Sequence, residues 1–183
     1  MRYKVIICSF TIFWLTSCGL KTDAEFGRIN SAYEYFPIDL DTMKSYRHLI
    51  NIVEERSCED ISSTLILRTD TINYKLHLNN FCVSEVCSYI KRRNTLHLKN
   101  DSIHKILFKR TLSYHQDQLK EVLEMEINNK NKQNELAEDI SKLILFYAQD
   151  DSSLSITKSK LIHLMNVYSR VEDDSTSLNV FLQ

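Results

Sequence analysis

Glycine and proline are nearly absent from this chain, and their scarcity limits the folds and sites that it can form. Gly19 and Gly27 are the only glycines among 183 residues, and Pro37 is the only proline, whereas average usage would give about a dozen glycines. Residues 28–183 therefore cannot contain a G-x-G-x-x-G dinucleotide turn, a Walker P-loop or a G-x-S-x-G nucleophile elbow, because each requires glycine backbone geometry. Tight turns there must use asparagine and aspartate, which tolerate left-handed backbone conformations.

The rest of the composition is typical of one folded domain. Hydrophobic residues make up 43% of the chain and charged residues 26%, so a core can form and disorder is not expected. A length of 183 residues accommodates one domain more readily than two. The formal net charge of −1 offers no electrostatic reason to expect a nucleic acid as partner.

The N-terminus carries the pattern of an export signal. Arg2 and Lys4 precede the apolar run Val5–Leu15, which is about half the roughly 20 residues that a membrane-spanning helix needs. The run ends in Leu15-Thr16-Ser17-Cys18. This sequence resembles the lipobox of bacterial lipoproteins, which has an aliphatic residue, two small residues and an obligatory cysteine. The competing interpretation is an ordinary secretory signal with an incidental cysteine.

The resemblance implies a lipid modification and a cleavage. In that family the thiol of Cys18 takes a diacylglycerol, and signal peptidase II then cuts between Ser17 and Cys18. The predicted partner is membrane lipid, because two or three acyl chains anchor a protein stably. Gly19 follows the cysteine, and the absence of aspartate there favours the outer membrane of a Gram-negative cell envelope.

The predicted organisation has three parts. Residues 1–17 form the signal peptide, residues 18–32 a lipidated tether and residues 33–183 a single α+β domain. The tether prediction rests on the polar stretch Lys21–Asn30, which contains Gly27.

Hydrophobic periodicity predicts both helices and strands, hence an α+β fold with antiparallel strands around residues 64–108 and packed helices. Alternation in Ile72–Leu78 indicates a half-buried strand that pairs with residues 64–68 across a turn at Asp70. The other predicted strands are Thr95–Lys99 and residues 178–182, whereas the pattern of residues 102–108 is ambiguous and favours a strand. Helices are predicted from about Met43 to Cys58, with Asp39 or Asp41 as the cap, and over residues 83–91, 114–127 and 157–170.

Two segments keep two interpretations open. The run Leu143–Tyr147 is compatible with a buried strand or with the helical spacing that precedes it, and periodicity alone does not decide. Tyr33, Tyr35 and Phe36 either cover the core beneath the first helix or form a partner-binding or membrane-proximal patch.

The cysteines predict at most one disulfide. Cys8 would leave with the signal peptide and Cys18 would carry lipid, so Cys58, Cys82 and Cys87 remain. A pairing of Cys58 with Cys82 or Cys87 is favoured over Cys82–Cys87 if those two share a helix.

Histidines and acidic pairs give no metal-binding or catalytic signature by spacing. His77 and His97 lie on the polar faces of two predicted strands, where they would be solvated, or would converge on a metal if the strands paired in register. Asp150-Asp151 and Asp173-Asp174 lack a calcium-loop pattern and indicate turns. We therefore expect no metal, no other cofactor and no catalytic residue.

Three hypotheses for function follow. The first is a non-enzymatic envelope lipoprotein that serves as an accessory or interaction module with a protein partner. The second is a layout that resembles the periplasmic domain of the small subunit of proton-driven biopolymer transport complexes, with strand, strand, helix, apolar run, helix and strand over residues 94–183. That family has a membrane-spanning helix with a functional aspartate, and Val5–Leu15 is short and has none. The third is an envelope hydrolase that uses His77, His97 and an acidic residue.

Overall fold

A computed structural model of the protein describes residues 21–31, 34–59, 61–79, 90–129, 132–150 and 153–183. This part of the chain contains both helices and strands, which confirms the predicted α+β class. The α-helices are α1 (Tyr46–Cys58), α2 (Leu119–Asn128) and α3 (Leu154–Val171). The strands are β1 (Thr22–Phe26), β2 (Glu34–Asp39), β3 (Ile61–Arg68), β4 (Ile72–His77), β5 (Thr95–Lys99), β6 (Ser102–Ile106), β7 (Thr111–His115), β8 (Ile144–Ala148) and β9 (Asn179–Leu182).

The first four strands form one mixed sheet in the order β1-β4-β3-β2. The hairpin β3–β4 is antiparallel, whereas β1 runs parallel to β4 and β2 runs parallel to β3. Pro37 lies on the edge strand β2, the kind of strand in which a residue without a backbone N–H is tolerated.

The last five strands form a second mixed sheet in the order β7-β6-β5-β8-β9. Strands β5, β8 and β9 are parallel, and β6 and β7 complete an antiparallel meander from β5. The parallel pair β8–β9 is possible because α3 connects the two strands, as a crossover between parallel strands requires.

The two sheets meet where β1 ends. Strand β1 pairs with β4 as far as Phe26 and Leu76, and beyond this point Leu78 forms a parallel bridge with Val180 of β9. Asn79 N donates to Val180 O at 3.0 Å, which continues the contact. Strand β9 thus takes the place of β1 beside the end of β4.

A single buried cluster lies between the sheets and the helices. Fully buried leucines of the first sheet, such as Leu65 and Leu76, belong to the same cluster as Leu49 of α1, Leu123 of α2 and Leu161 of α3. Burial of each such side chain contributes about 1.5–3 kcal/mol.

The predicted β3–β4 hairpin is confirmed, and neither it nor the β5–β6 hairpin uses glycine. The turn between β3 and β4 contains Asp70. The turn between β5 and β6 contains Asn100, whose φ of 53° is in the left-handed region that asparagine tolerates better than most residues.

The predicted tether is wrong for residues 22–26, which form β1. Its polar sequence pairs with a distant strand, and Lys75 Nζ of β4 lies 2.8 Å from Asp23 Oδ2 and 3.1 Å from Glu25 Oε1. These cross-strand contacts stabilise a strand in a segment whose sequence shows no strand pattern.

Two helix boundaries also differ from the prediction. Helix α1 begins after Ser45, whose hydroxyl accepts from His48 N at 3.1 Å, while Asp39 caps the short 3₁₀ turn Leu40–Thr42. Tyr114 lies in β7 because it pairs with Ile103 of β6, so α2 begins only at Leu119.

The segment Leu143–Tyr147 is mostly strand. Strand β8 lies between β5 and β9, and Leu145, Phe146 and Tyr147 are all buried. A strand covered on both faces is apolar at successive positions, which explains why its sequence shows no alternation. The predicted helix at 83–91 lies outside the described residues.

Candidate functional site

An open cleft of about 450 Å³ lies at the junction of the two sheets. Two chain segments form its walls, one after β1 and one after α3. The residues that line it are Glu25, Gly27, Arg28, Ile29, His77, Ser175 and Thr176.

Gly27 contacts both the segment after α3 and the end of β4. Its φ is +87°, and its N–H donates to Ser175 O at 3.0 Å. A Cβ at this position would lie 2.4 Å from His77 O, a distance that no side chain accommodates without movement of the backbone. Positive φ and close backbone approach both require glycine here.

His77 is the buried titratable group of the cleft. Its side chain is 6% exposed, and its Nδ1 forms a 2.8 Å hydrogen bond with Thr64 Oγ1. Its Nε2 is enclosed and has no hydrogen-bond partner among the described residues. Desolvation lowers the pKa of His77, so the imidazole is neutral at pH 7 and Nε2 retains an unused hydrogen-bonding capacity.

Tyr35 fixes both His77 and one wall of the cleft. The two rings meet edge to face, with centroids 5.4 Å apart. The Tyr35 hydroxyl donates to Arg28 O at 3.2 Å and accepts from Asn30 N at 2.7 Å. Tyr35 therefore stabilises the loop after β1. Phe36 makes a different contact: the Cζ atom of Arg56 in α1 lies 4.6 Å from the centroid of its ring. Tyr33 lies outside the described residues.

The charges around the cleft differ in how far they are compensated. Glu25 pairs with Lys75, and hydrogen bonds from Thr176, with a smaller contribution from the charge of Arg28, lower the pKa of Asp174. Arg28 is exposed at the rim. The cleft thus combines a guanidinium donor, a carboxylate acceptor and a neutral imidazole, a set that suits hydrogen bonding to a polar group.

The structure does not bring His77 and His97 together. Their strands β4 and β5 belong to different sheets, and β9 and β8 lie between them. The alternative in which these two histidines converge on a metal is therefore wrong, and so is the expected solvation of His77. His97 stacks on Phe146 with ring centroids 4.8 Å apart and faces His104 across the β5–β6 pair.

The other predicted site residues stand as follows. Ser17 and Cys18 lie outside the described residues, as do Cys82 and Cys87. Cys58 is exposed at the end of α1. The lipidation, the cleavage and the disulfide therefore remain predictions.

Sequence reasoning missed the cleft itself. Gly27 was the one available signal, since an isolated glycine in a chain with so few often marks a position where backbones approach closely. The partners of Gly27 lie in segments about 50 and 150 residues away, and local patterns do not reveal such contacts.

Comparison with protein-family models, with curated proteins and with solved structures finds no match to this chain. None of the helices in the described ranges is long and apolar enough to cross a membrane. Within the same ranges, no group of three or more His, Cys, Asp or Glu side chains is placed to hold a metal ion.

Proposed function

We propose that this chain is a lipid-anchored protein of the bacterial cell envelope whose domain is a non-enzymatic interaction module. The observation that carries the proposal is the sequence Leu15-Thr16-Ser17-Cys18 directly after a short apolar run. Acylated Cys18 would be the membrane anchor, and residues 1–17 would be removed. Gly19 after the cysteine favours the outer membrane of a Gram-negative cell.

The position of the fold is compatible with this cleavage. Every described member of the buried cluster lies at or beyond Ala24, so a cut between Ser17 and Cys18 would remove none of them. The mature chain would consist of the lipidated cysteine, a few linking residues and the complete described domain.

We further propose that the cleft at the sheet junction is the recognition site of the module. His77 Nε2 is a buried polar atom without a partner among the described residues, and such atoms are rare because each costs about 1–3 kcal/mol. Because Nε2 is enclosed, a partner group would form this hydrogen bond only after the side chains around the imidazole move, and Arg28 and Glu25 at the same cleft would orient that group.

Metabolic labelling with a fatty acid tests the anchor. We expect label to enter the wild-type protein and the Cys58→Ala control, and to be absent from Cys18→Ala. Wild-type protein without label, or label retained in Cys18→Ala, would contradict the proposal.

Site-specific photo-crosslinking tests the recognition site. A photoreactive residue in place of Ile29, at the cleft, should give a defined adduct with an envelope protein in living cells. The same residue in place of Lys120, exposed on α2, is the control and should not. Equal adducts at both positions would show that the cleft has no special role.

The second candidate is a component of a proton-driven transport complex, and one observation favours it. The apolar run before Asp150 is strand β8, as the resembling layout requires, although β7 is an additional strand. A protonophore separates the two proposals. Adducts at Ile29 that change when the proton gradient is dissipated would favour the transport component, and unchanged adducts would favour a passive module.

The hydrolase hypothesis retains only the contact between Thr64 and His77. A hydroxyl 2.8 Å from an imidazole nitrogen has the geometry of an activated nucleophile, but Thr64 is 7% exposed and does not line the cleft. Ester hydrolysis that is lost in His77→Gln would revive this hypothesis.

A further inference from the structure

The chain enters the described domain at one end of the first sheet. Thr22 N donates to Thr71 O at 3.3 Å, and Lys21 Nζ donates to Thr69 O at 2.9 Å. Both acceptors belong to the turn between β3 and β4. Residues 21–22, 68–71 and 39–44 together form what we call the entry end, since Arg68 also pairs with Asp39 at 3.0 Å.

The link between Cys18 and this end is very short. Only three residues, Gly19 to Lys21, separate Cys18 from Thr22, so their α-carbons are at most about 14 Å apart when the link is fully extended. The polar headgroup layer of one leaflet is about 5–7 Å thick. If Cys18 is acylated at the base of that layer, Thr22 lies no more than about 9 Å beyond it.

The cleft lies at the other end of β1. The strand runs from Thr22 to Phe26, and the cleft is lined by Glu25 near the end of the strand and by Gly27 just beyond it. At about 3.3 Å per residue, β1 separates Thr22 from Gly27 by roughly 16 Å. The entry end and the cleft are therefore on opposite ends of the first sheet.

The charges of the entry end are close to balanced. Asp39 is paired with Arg68, and Asp41 with Lys158 at 2.6 Å. The exposed groups that remain there include both signs, with Lys21 and Lys44 against Asp70. Attraction to anionic headgroups is therefore weak, and the short link is what would hold this end at the membrane.

We propose that the entry end rests on the surface of the bilayer that holds Cys18, with the cleft turned away from the membrane. This inference rests on the proposed lipid anchor. It specifies a lipid headgroup surface as the partner of residues 21–22, 39–44 and 68–71. It also makes the cleft accessible to a partner in the compartment beyond the membrane surface.

Tryptophan fluorescence offers a direct test. Trp14 is the only tryptophan and would leave with the signal peptide, so the mature protein has no tryptophan background. Thr71→Trp reports on the entry end and Ile29→Trp on the cleft, and both positions are exposed. Asp70→Trp is a second reporter of the entry end, to be used if Thr71→Trp does not fold.

The lipidated variants are purified and reconstituted into vesicles of phosphatidylethanolamine and phosphatidylglycerol that contain a small fraction of headgroup-nitroxide lipid. We expect several-fold stronger quenching of the tryptophan at position 71 than of that at position 29. Added NaCl should leave this difference unchanged, because the link and not charge sets the orientation.

A longer link is the matched control. Twenty Gly/Ser residues inserted between Gly19 and Leu20 would span about 25 Å on average and should abolish the difference between the two reporters. Equal quenching in the variants with the natural link, or stronger quenching at position 29, would overturn the proposed orientation. Failure of the proposed function is distinct, because the mass of the protein would then show that Cys18 carries no acyl chains.

Discussion

Lys105 Nζ of β6 lies 2.5 Å from Glu126 Oε1 of α2, and both side chains are 2% exposed. The pair is almost fully enclosed by protein, and its remaining hydrogen bonds go to backbone atoms. Lys105 Nζ also donates to Arg93 O at 2.5 Å, and Ala137 N donates to Glu126 Oε2 at 2.6 Å. Burial lowers the pKa of Lys105 and raises that of Glu126, while each partner opposes the shift of the other.

Loss of one member of this pair should destabilise the protein strongly. Glu126→Leu would leave the Lys105 ammonium buried without its counterion, and we expect a loss of about 3–5 kcal/mol in the free energy of unfolding. The double variant Lys105→Met/Glu126→Leu should lose much less than the sum of the two single variants. Urea denaturation of the four proteins measures the coupling. The exposed pair Lys120–Glu124 on α2 is the control, since Lys120→Ala should cost no more than about 0.5 kcal/mol. A similarly small cost for Glu126→Leu would refute the prediction.

Gly27→Ala should destabilise the fold at the cleft. A left-handed backbone costs an L-residue about 1–2 kcal/mol, and the new Cβ would also contact His77 O at 2.4 Å. We therefore expect a loss of at least 1–2 kcal/mol in urea denaturation. The neighbouring Ile29→Ala, at an exposed position, should change stability by less than about 0.5 kcal/mol. Equal stabilities of Gly27→Ala and Ile29→Ala would contradict the described backbone at Gly27.

His77 should make stability depend on pH near neutrality. Because burial lowers its pKa below the ordinary value of 6.5, the unfolded chain binds a proton more readily than the folded one. The His77 contribution is therefore fully present above pH 6.5 and is lost as the pH falls toward the lower pKa of the folded state. Thermal melting between pH 5 and pH 8 should show this slope in the wild type and in His163→Asn, an exposed position on α3. A slope that persists unchanged in His77→Asn would mean that another group causes it.

The Glu138 carboxylate should contribute to the stability of the fold at mildly acidic pH. Hydrogen bonds from Lys91, Arg93 and Lys142 lower the pKa of this carboxyl to about 2. Its contribution to stability is present above the ordinary value of 4.5 and is lost as the pH falls through about 2. We expect Glu138→Gln to be less stable than the wild type at pH 6 and the difference to shrink steadily below pH 4.5.

The matched control for Glu138 is Glu135→Gln, since Glu135 forms its ion pair with the exposed Arg110. Its effect on stability should be small across the same pH range. A Glu138→Gln variant that loses the same stability at pH 2 as at pH 6 would show that the charge of Glu138 is not responsible.

Local patterns predicted the parts of the fold whose contacts are local. The hairpin β3–β4, the strand β5 with its turn at Asn100, and most of α3 follow from alternation, helical spacing and turn residues. The candidate site was not predicted, because Gly27, His77 and Ser175 come from three distant segments. Its most informative atom, His77 Nε2, lies on a strand whose alternating pattern indicated a solvated side chain.

By itself the sequence determined which sites are excluded and which turns are possible. A body without glycine cannot form phosphate-cradling loops or a nucleophile elbow, and turns at residues such as Asn100 follow from side chains that tolerate unusual backbone angles. The tertiary structure alone decided that residues 22–26 are a strand, that residues 144–148 pair in a sheet and that His77 is buried. The physical reason is the same in each case. These states depend on partners in other segments of the chain, such as Asn73 for Asp23, 50 residues away. A segment with weak local preference adopts the structure that satisfies its hydrogen bonds and buries its apolar surface in the complete fold.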